Sequence, residues 1–186
     1  NASRCIGKYL YEKGLTRKDT IRLETLSGIK ILRLHIQDNG KVVDSVTVDM
    51  LQPKLENKEQ FVPSEESTRT TEDGIKQVTL EADGRKFEGT YVCMGNPHFV
   101  TFVDDVDALK LEELGPLFEH HKLFPEGVNT EFVQVIDKKT VKVRVWERGS
   151  GETWACGTGA SAVAVACIML GRAGKKGEPL TVIAKG

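Results

Sequence analysis

The chain has 186 residues, 39% of them hydrophobic, and a formal net charge of −1. That length and apolar content suit one or two small domains with a real core. The near-zero charge argues against nucleic acid or a membrane surface as partner, and no apolar stretch reaches the roughly 18 residues that span a bilayer.

In chain order, residues 2–13 read as a helix with Cys5, Ile6, Tyr9 and Leu10 on one face and Gly14 as its stop. Residues 21–26 and 29–37 alternate as strands. Asp38-Asn39-Gly40 marks a tight turn into a strand at 42–48. Residues 56–74 are polar and predict an exposed loop or insertion, so a domain boundary is expected near residue 50, giving units 1–50 and 51–186. Residues 77–82 and 86–93 predict a hairpin around Asp83-Gly84. Met94 to His98 interrupts it, and 99–103 resumes a strand. A helix is expected at 108–118, strands at 129–137 and 140–147, then a cysteine turn, a long apolar helix and a final strand at 180–184.

The four cysteines, Cys5, Cys93, Cys156 and Cys167, form no C-x-x-C pair and no zinc spacing with histidine. Free thiols in a reducing cytoplasm are the expectation, with Cys5 and Cys167 as core residues. His35, His120 and His121 are expected to be solvated. NASRCIGKYLYEKG at 1–14 matches TGASAVAVACIMLG at 158–171, and a strand follows each copy. This predicts two similar halves, each a helix in a β-rich shell. Both ends of the sequence read as cut, and on the repeat a second functional residue belongs just upstream of Asn1.

The chemistry concentrates in WERGSGETWACGTGASAVAVACIMLGRAG at 146–174. A charged, Gly-rich turn delivers Cys156 to a helix start, where unpaired N–H groups and the helix dipole favour negative charge. A thiol there is expected to ionise in the range of about 3.5–7.5. Gly157, Thr158 and Gly159 let backbone N–H groups approach an anion such as a carboxylate. Arg148 can grip a carboxylate in bidentate fashion, and Glu147 can orient an amine or a base; a surface ion pair is the plainer reading of both. Asn96 offers both hydrogen-bonding polarities, and His98 can relay charge; a turn between strands explains that segment equally well. Asn129, in Gly127-Val128-Asn129, reads slightly better as a turn residue.

ERGSGETWACGTGASAVAVA at 147–166, MGNPHFV at 94–100 and GVNTEFV at 127–133 closely resemble diaminopimelate epimerase. NASRCIGKYLYEKG resembles the segment after that family's first catalytic cysteine, in a motif Cys-Gly-Asn whose Asn falls at Asn1. The resemblance implies an α+β fold of pseudo-symmetric halves, each a central apolar helix in a barrel-like shell. It implies a cytoplasmic isomerase of lysine and peptidoglycan precursor synthesis that inverts LL-diaminopimelate to the meso form. No cofactor, pyridoxal phosphate included, and no metal would take part. Two cysteines would act on opposite faces of the α-carbon, Cys156 being one. His98 and Glu147 would assist the acid–base work. Asn1, Asn96, Asn129, Glu147, Arg148, Gly157 and Thr158 would bind substrate. The partner implied is the small-molecule substrate, with a homodimer allowed. The chain would lack the first cysteine and be inactive alone. A proline or hydroxyproline racemase-like isomerase, or a module with a purely structural cysteine, is the alternative.

Overall fold

The computed structural model describes residues 2–25, 27–72 and 74–185. By contacts the chain divides into two compact units, residues 1–51 and 52–186.

The first unit is one helix on a three-stranded antiparallel sheet. Helix α1 is Ala2–Glu12 and the strands β1 (Thr20–Thr25), β2 (Gly28–Ile36) and β3 (Val43–Val48) pair in sequence order. The helix meets the sheet through Gly7, where an added Cβ would lie 3.0 Å from Leu34 and 3.3 Å from Leu32. This contact overturns part of the sequence expectation. Cys5, Ile6 and Tyr9 are exposed, and Leu10 is half-buried. The physical reason is close packing: the residue without a side chain lets the helix approach β2, and that turns the apolar face off the contact.

The second unit carries an eight-stranded sheet. The unit contains a single 3₁₀ turn (Glu65–Ser67), followed by the sheet's edge strand β4 (Thr68–Thr70). The polar segment at 56–74 is therefore not wholly loop: β4 pairs antiparallel with β5, and Phe61 is buried, stacked on Tyr91 at 4.8 Å. Then come β5 (Lys76–Ala82), β6 (Arg85–Cys93), β7 (Pro97–Phe102), helix α2 (Leu111–Glu119), β8 (Asn129–Asp137), β9 (Thr140–Glu147), β10 (Gly151–Thr153), helix α3 (Gly157–Met169) and β11 (Thr181–Ile183). The order across the sheet is β10-β9-β8-β7-β6-β5-β4, with β11 alongside β9. The β5–β6 hairpin turns through Asp83 and Gly84, both at positive φ (53° and 67°), as a two-residue reverse turn of this hand requires. Two neighbours are parallel, β7 with β8 and β11 with β9. Each of these pairs is joined through a helix, as a parallel connection demands. The α+β class stands, but the sheet is open, so the barrel-like closure expected from the sequence is absent among the described residues.

Strand alternation sorts the residues of this sheet onto two faces. Phe99 and Phe132 face α2, where Phe118 lies 6.1 and 5.0 Å from their ring centres. One residue out of step, His98 and Glu131 face the other side. There α3 packs with Gly159, Ala162, Val163, Ala166 and Cys167 buried. Among the described residues, no helix is long and apolar enough to cross a membrane.

Candidate active site

The site lies on the α3 face of the sheet. Cys156 is the N-cap of α3, extended at φ −123° and ψ 115°, and its sulfur accepts from Gly159 N–H at 3.3 Å. Thr158 Oγ1 is also 3.3 Å from that sulfur. The hydroxyl serves both protonation states: it accepts from a thiol S–H, or donates to a thiolate. The first-turn N–H groups of Gly157 and Thr158 have no acceptor within an α-helix and point out of its end.

His98 is drawn into the site by β7, which starts at Pro97 and runs between β6 and β8. The segment read as an interruption is thus partly strand, Pro97 taking the strand-start position its missing N–H allows. His98 is fully buried. Its Nδ1 lies 2.7 Å from Glu131 Oε1 and its Nε2 lies 3.1 Å from Asn96 Oδ1. Asn96 Nδ2 in turn donates to Thr158 Oγ1 at 3.3 Å. A continuous line of hydrogen bonds therefore runs from Glu131 through His98, Asn96 and Thr158 to the Cys156 sulfur. Polar atoms of His98, Glu131 and Cys156 come within 4.8 Å of one another. Both His98 nitrogens are already hydrogen-bonded, so this cluster is an internal hydrogen-bond network rather than a set of free ligands.

The remaining candidates flank this line. Asn129 is buried, its Nδ2 donating to Pro97 O at 2.7 Å and its Oδ1 accepting from Arg148 N–H at 3.0 Å. It ties the start of β7 to the β9–β10 turn. Arg148 is exposed, and its Nη1 donates to Glu126 O at 3.0 Å. Glu147 accepts from the Thr153 hydroxyl. Asn1 lies outside the described residues. His35 and His120 are exposed; His121 is half-buried, 6.4 Å from the Phe124 ring.

The thiol departs from the sequence expectation. Burial pushes Cys156 above its ordinary pKa, and Glu131 and Glu147 push the same way, against the hydrogen bonds from Thr158 and Gly159. The helix terminus is thus outweighed by desolvation and by two carboxylates, of which the local motif shows Glu147 but not Glu131.

Two carboxylates of this region have no place in the sequence reading. Glu131 lies within the strand expected at 129–137, and no motif singles it out. Glu119, at the end of α2, accepts from Trp146 Nε1 at 2.7 Å and from Gly149 N–H at 2.8 Å. It fixes the turn that carries Glu147 and Arg148. No local spacing marks either residue; their partners come from distant strands.

Comparison with known proteins now settles the family. The diaminopimelate epimerase family model matches residues 90–186, just over half the chain. The chain belongs to the diaminopimelate epimerase family. A diaminopimelate epimerase of Phocaeicola vulgatus is 56% identical over 176 residues, 95% of this chain and 60% of that one. That of Acetivibrio thermocellus is 51% identical over the same shares. The chain thus spans about 60% of the length of the curated relatives it matches. Among solved structures, a hydroxyproline epimerase from Agrobacterium vitis is similar in fold, with TM-score 0.61 and 20% identity over 95% of this chain and 53% of its own. A probable proline racemase from Agrobacterium radiobacter is similar with TM-score 0.60 and 17% identity, over 92% of this chain and 52% of its own.

Proposed function

We propose that the whole protein is a cofactor-independent epimerase that inverts the α-carbon of LL-diaminopimelate to the meso form, with Cys156 as one of two proton carriers. The observation that carries this reading is the Cys156 sulfur at the N-terminus of α3, with a reversible hydroxyl partner and a backbone donor each at 3.3 Å. The relatives that share most of this chain carry that enzyme's name.

One thiolate takes the α-proton and becomes a thiol. The opposite thiol gives its proton to the other face of the carbanion and becomes a thiolate. An α-proton next to a carboxylate is very weakly acidic, so the developing charge needs donors already in place in a site closed to water. The first-turn N–H groups of Gly157 and Thr158 supply such donors for the α-carboxylate, and the exposed Arg148 guanidinium can hold a carboxylate. Asn1, Asn96, Asn129 and Glu147 complete the proposed substrate contacts, and His98 and Glu147 the acid–base support. Asn129 contributes chiefly by holding Pro97 and Arg148 in place, since its side chain is committed to the backbone of these two residues.

Cys156 is one carrier, its thiol pushed above the ordinary value chiefly by burial. The other carrier is a second cysteine on the opposite face. None of Cys5, Cys93 and Cys167 is assigned that role, so the 186 residues alone are proposed not to invert the substrate.

The test is deuterium uptake at the α-carbon of LL-diaminopimelate in D₂O, at the relatives' full length, with and without Cys156→Ala. Loss of inversion by about 10²-fold or more is expected for the variant. Inversion at the unaltered rate in Cys156→Ala would falsify the assignment. Proline and hydroxyproline are run alongside, and turnover of either in place of diaminopimelate selects the alternative racemase reading.

A further inference from the structure

Glu131 is the most deeply buried carboxylate of the site and has no part in the proposed chemistry so far. Its side chain is 1% exposed, beside a His98 that is 0% exposed. Oε1 meets His98 Nδ1 at 2.7 Å, whereas Oε2 has no hydrogen-bond partner among the described residues. An unsatisfied buried carboxylate oxygen is destabilising, and proteins keep such groups where they do something else.

The surroundings are built around it. Glu131 reaches α3 only because residue 159 is glycine. A Cβ there would stand 2.5 Å from Glu131 Oε1 and 3.1 Å from Cys156 Cβ. The carboxylate therefore lies against the first turn of α3, next to the thiol, at the far end of the line of hydrogen bonds described above. Along that line Asn96 Oδ1 can only accept, so His98 Nε2 carries a proton. Nδ1 then shares a second proton with Glu131, and the ring is fixed from both sides. The Asn96 amide donates to Thr158, which leaves the Thr158 hydroxyl hydrogen free to turn toward sulfur. Without a group at Oε1, a fully buried Nδ1 loses its partner, and nothing sets which nitrogen faces Asn96.

We propose that Glu131 is a positioning residue of the acid–base site: it locks His98 through Nδ1, so that the hydrogen-bond line ends on the Cys156 sulfur, and it keeps a carboxylate beside that sulfur. This rests on the reading of Cys156 as an acid–base thiol. The charged or titratable groups that face the sulfur are Glu131 from β8, Glu147 from the end of β9 and His98 from β7, with Thr158 and Gly159 as its donors. The Glu131 charge acts to keep the proton on sulfur, as does that of Glu147.

The experiment uses two substrate-free readouts: the pH midpoint of Cys156 alkylation, followed on its own peptide by mass spectrometry, and the ring nitrogen resonances of His98. Glu131→Gln cannot take up the shared proton, so the Nδ1 resonance is expected to move and the Cys156 midpoint to shift with the released line. Glu131→Asp keeps a carboxylate but is one methylene short of His98, so the Nδ1 resonance is expected to move less than in Glu131→Gln. An unmoved Cys156 midpoint in Glu131→Gln overturns the proposal, as does an unmoved His98 spectrum in both variants. Should the variants not fold, the unaltered protein still decides: an Nδ1 with no shared proton overturns the proposal, and a shared proton supports it. Neither readout needs turnover, so failure here leaves the epimerase reading standing, and a failed turnover assay leaves these results standing.

Discussion

Replacing Thr158 by Val removes one hydroxyl from the Cys156 sulfur while nearly preserving side-chain shape. Thr158 Oγ1 is 3.3 Å from Sγ and also accepts from Asn96 Nδ2 at 3.3 Å. Its hydrogen bond lowers the thiol, in opposition to desolvation and the two carboxylates. Without it the thiol climbs further. A hydrogen bond to a charged group is worth about 1.5–3 kcal/mol when buried. Cys156 is only half-buried and the contact is long for an oxygen donor, so the lower end applies, about 1.5 kcal/mol or about one pH unit. At a fixed pH below the midpoint the thiolate fraction then drops about tenfold. The assay is the alkylation rate of the Cys156 peptide as a function of pH, resolved from that of exposed Cys5. Thr158→Ser, which keeps the hydroxyl, is expected to titrate like the unaltered protein. A midpoint in Thr158→Val that stays still or moves down would refute the assigned role of that hydroxyl.

Other expectations follow from the same contacts. Gly115→Ala sets a Cβ 2.1 Å from the Trp146 ring, and overpacking of this kind costs about 1–3 kcal/mol, read as a lower urea midpoint at unchanged slope. Phe118→Ala empties the centre of the aromatic cluster shared with Phe87, Phe99 and Phe132, for a loss of about 3–5 kcal/mol in the same measurement. On the alkaline side, burial pushes Cys167 up to about 12 and raises Tyr91 also. A raised folded-state value means stability that is whole below the ordinary thiol range near 9.0 and is lost as pH climbs toward the folded value. Cys167→Ala should therefore flatten the fall in stability between about pH 9 and 12 in denaturant titrations, and an equally steep fall would count against buried Cys167 as its source.

Much of the fold was legible because it rests on local signals. The strands at 129–137 and 140–147 appear at the bounds read from alternation, and the Asp83-Gly84 hairpin forms where two residues tolerate positive φ. The start of α3 was marked by Gly residues around a capping side chain. Legibility failed where a partner from elsewhere in the chain decides. Nothing in the alternation of β10 distinguishes three residues of strand from loop; its pairing with β9 does. Cys5 was placed in the core because its neighbours are apolar, whereas the close approach at Gly7 rotates that face outward.

The sequence by itself marked the candidates for chemistry: Cys156 at a helix start, with Asn96, His98, Asn129, Glu147 and Arg148 in segments that resemble one family. Short motifs persist in a linear reading because each is a few residues long and needs no distant partner. The direction in which the thiol's pKa is displaced was decided only by the tertiary structure. Desolvation and the charges of Glu131 and Glu147 act through space, and Glu131 comes to the sulfur from a separate strand, β8. The hydrogen-bond line from Glu131 to Cys156 likewise crosses β8, β7 and α3. It exists only because the sheet puts His98 and Glu131 on the face that Gly159 leaves open.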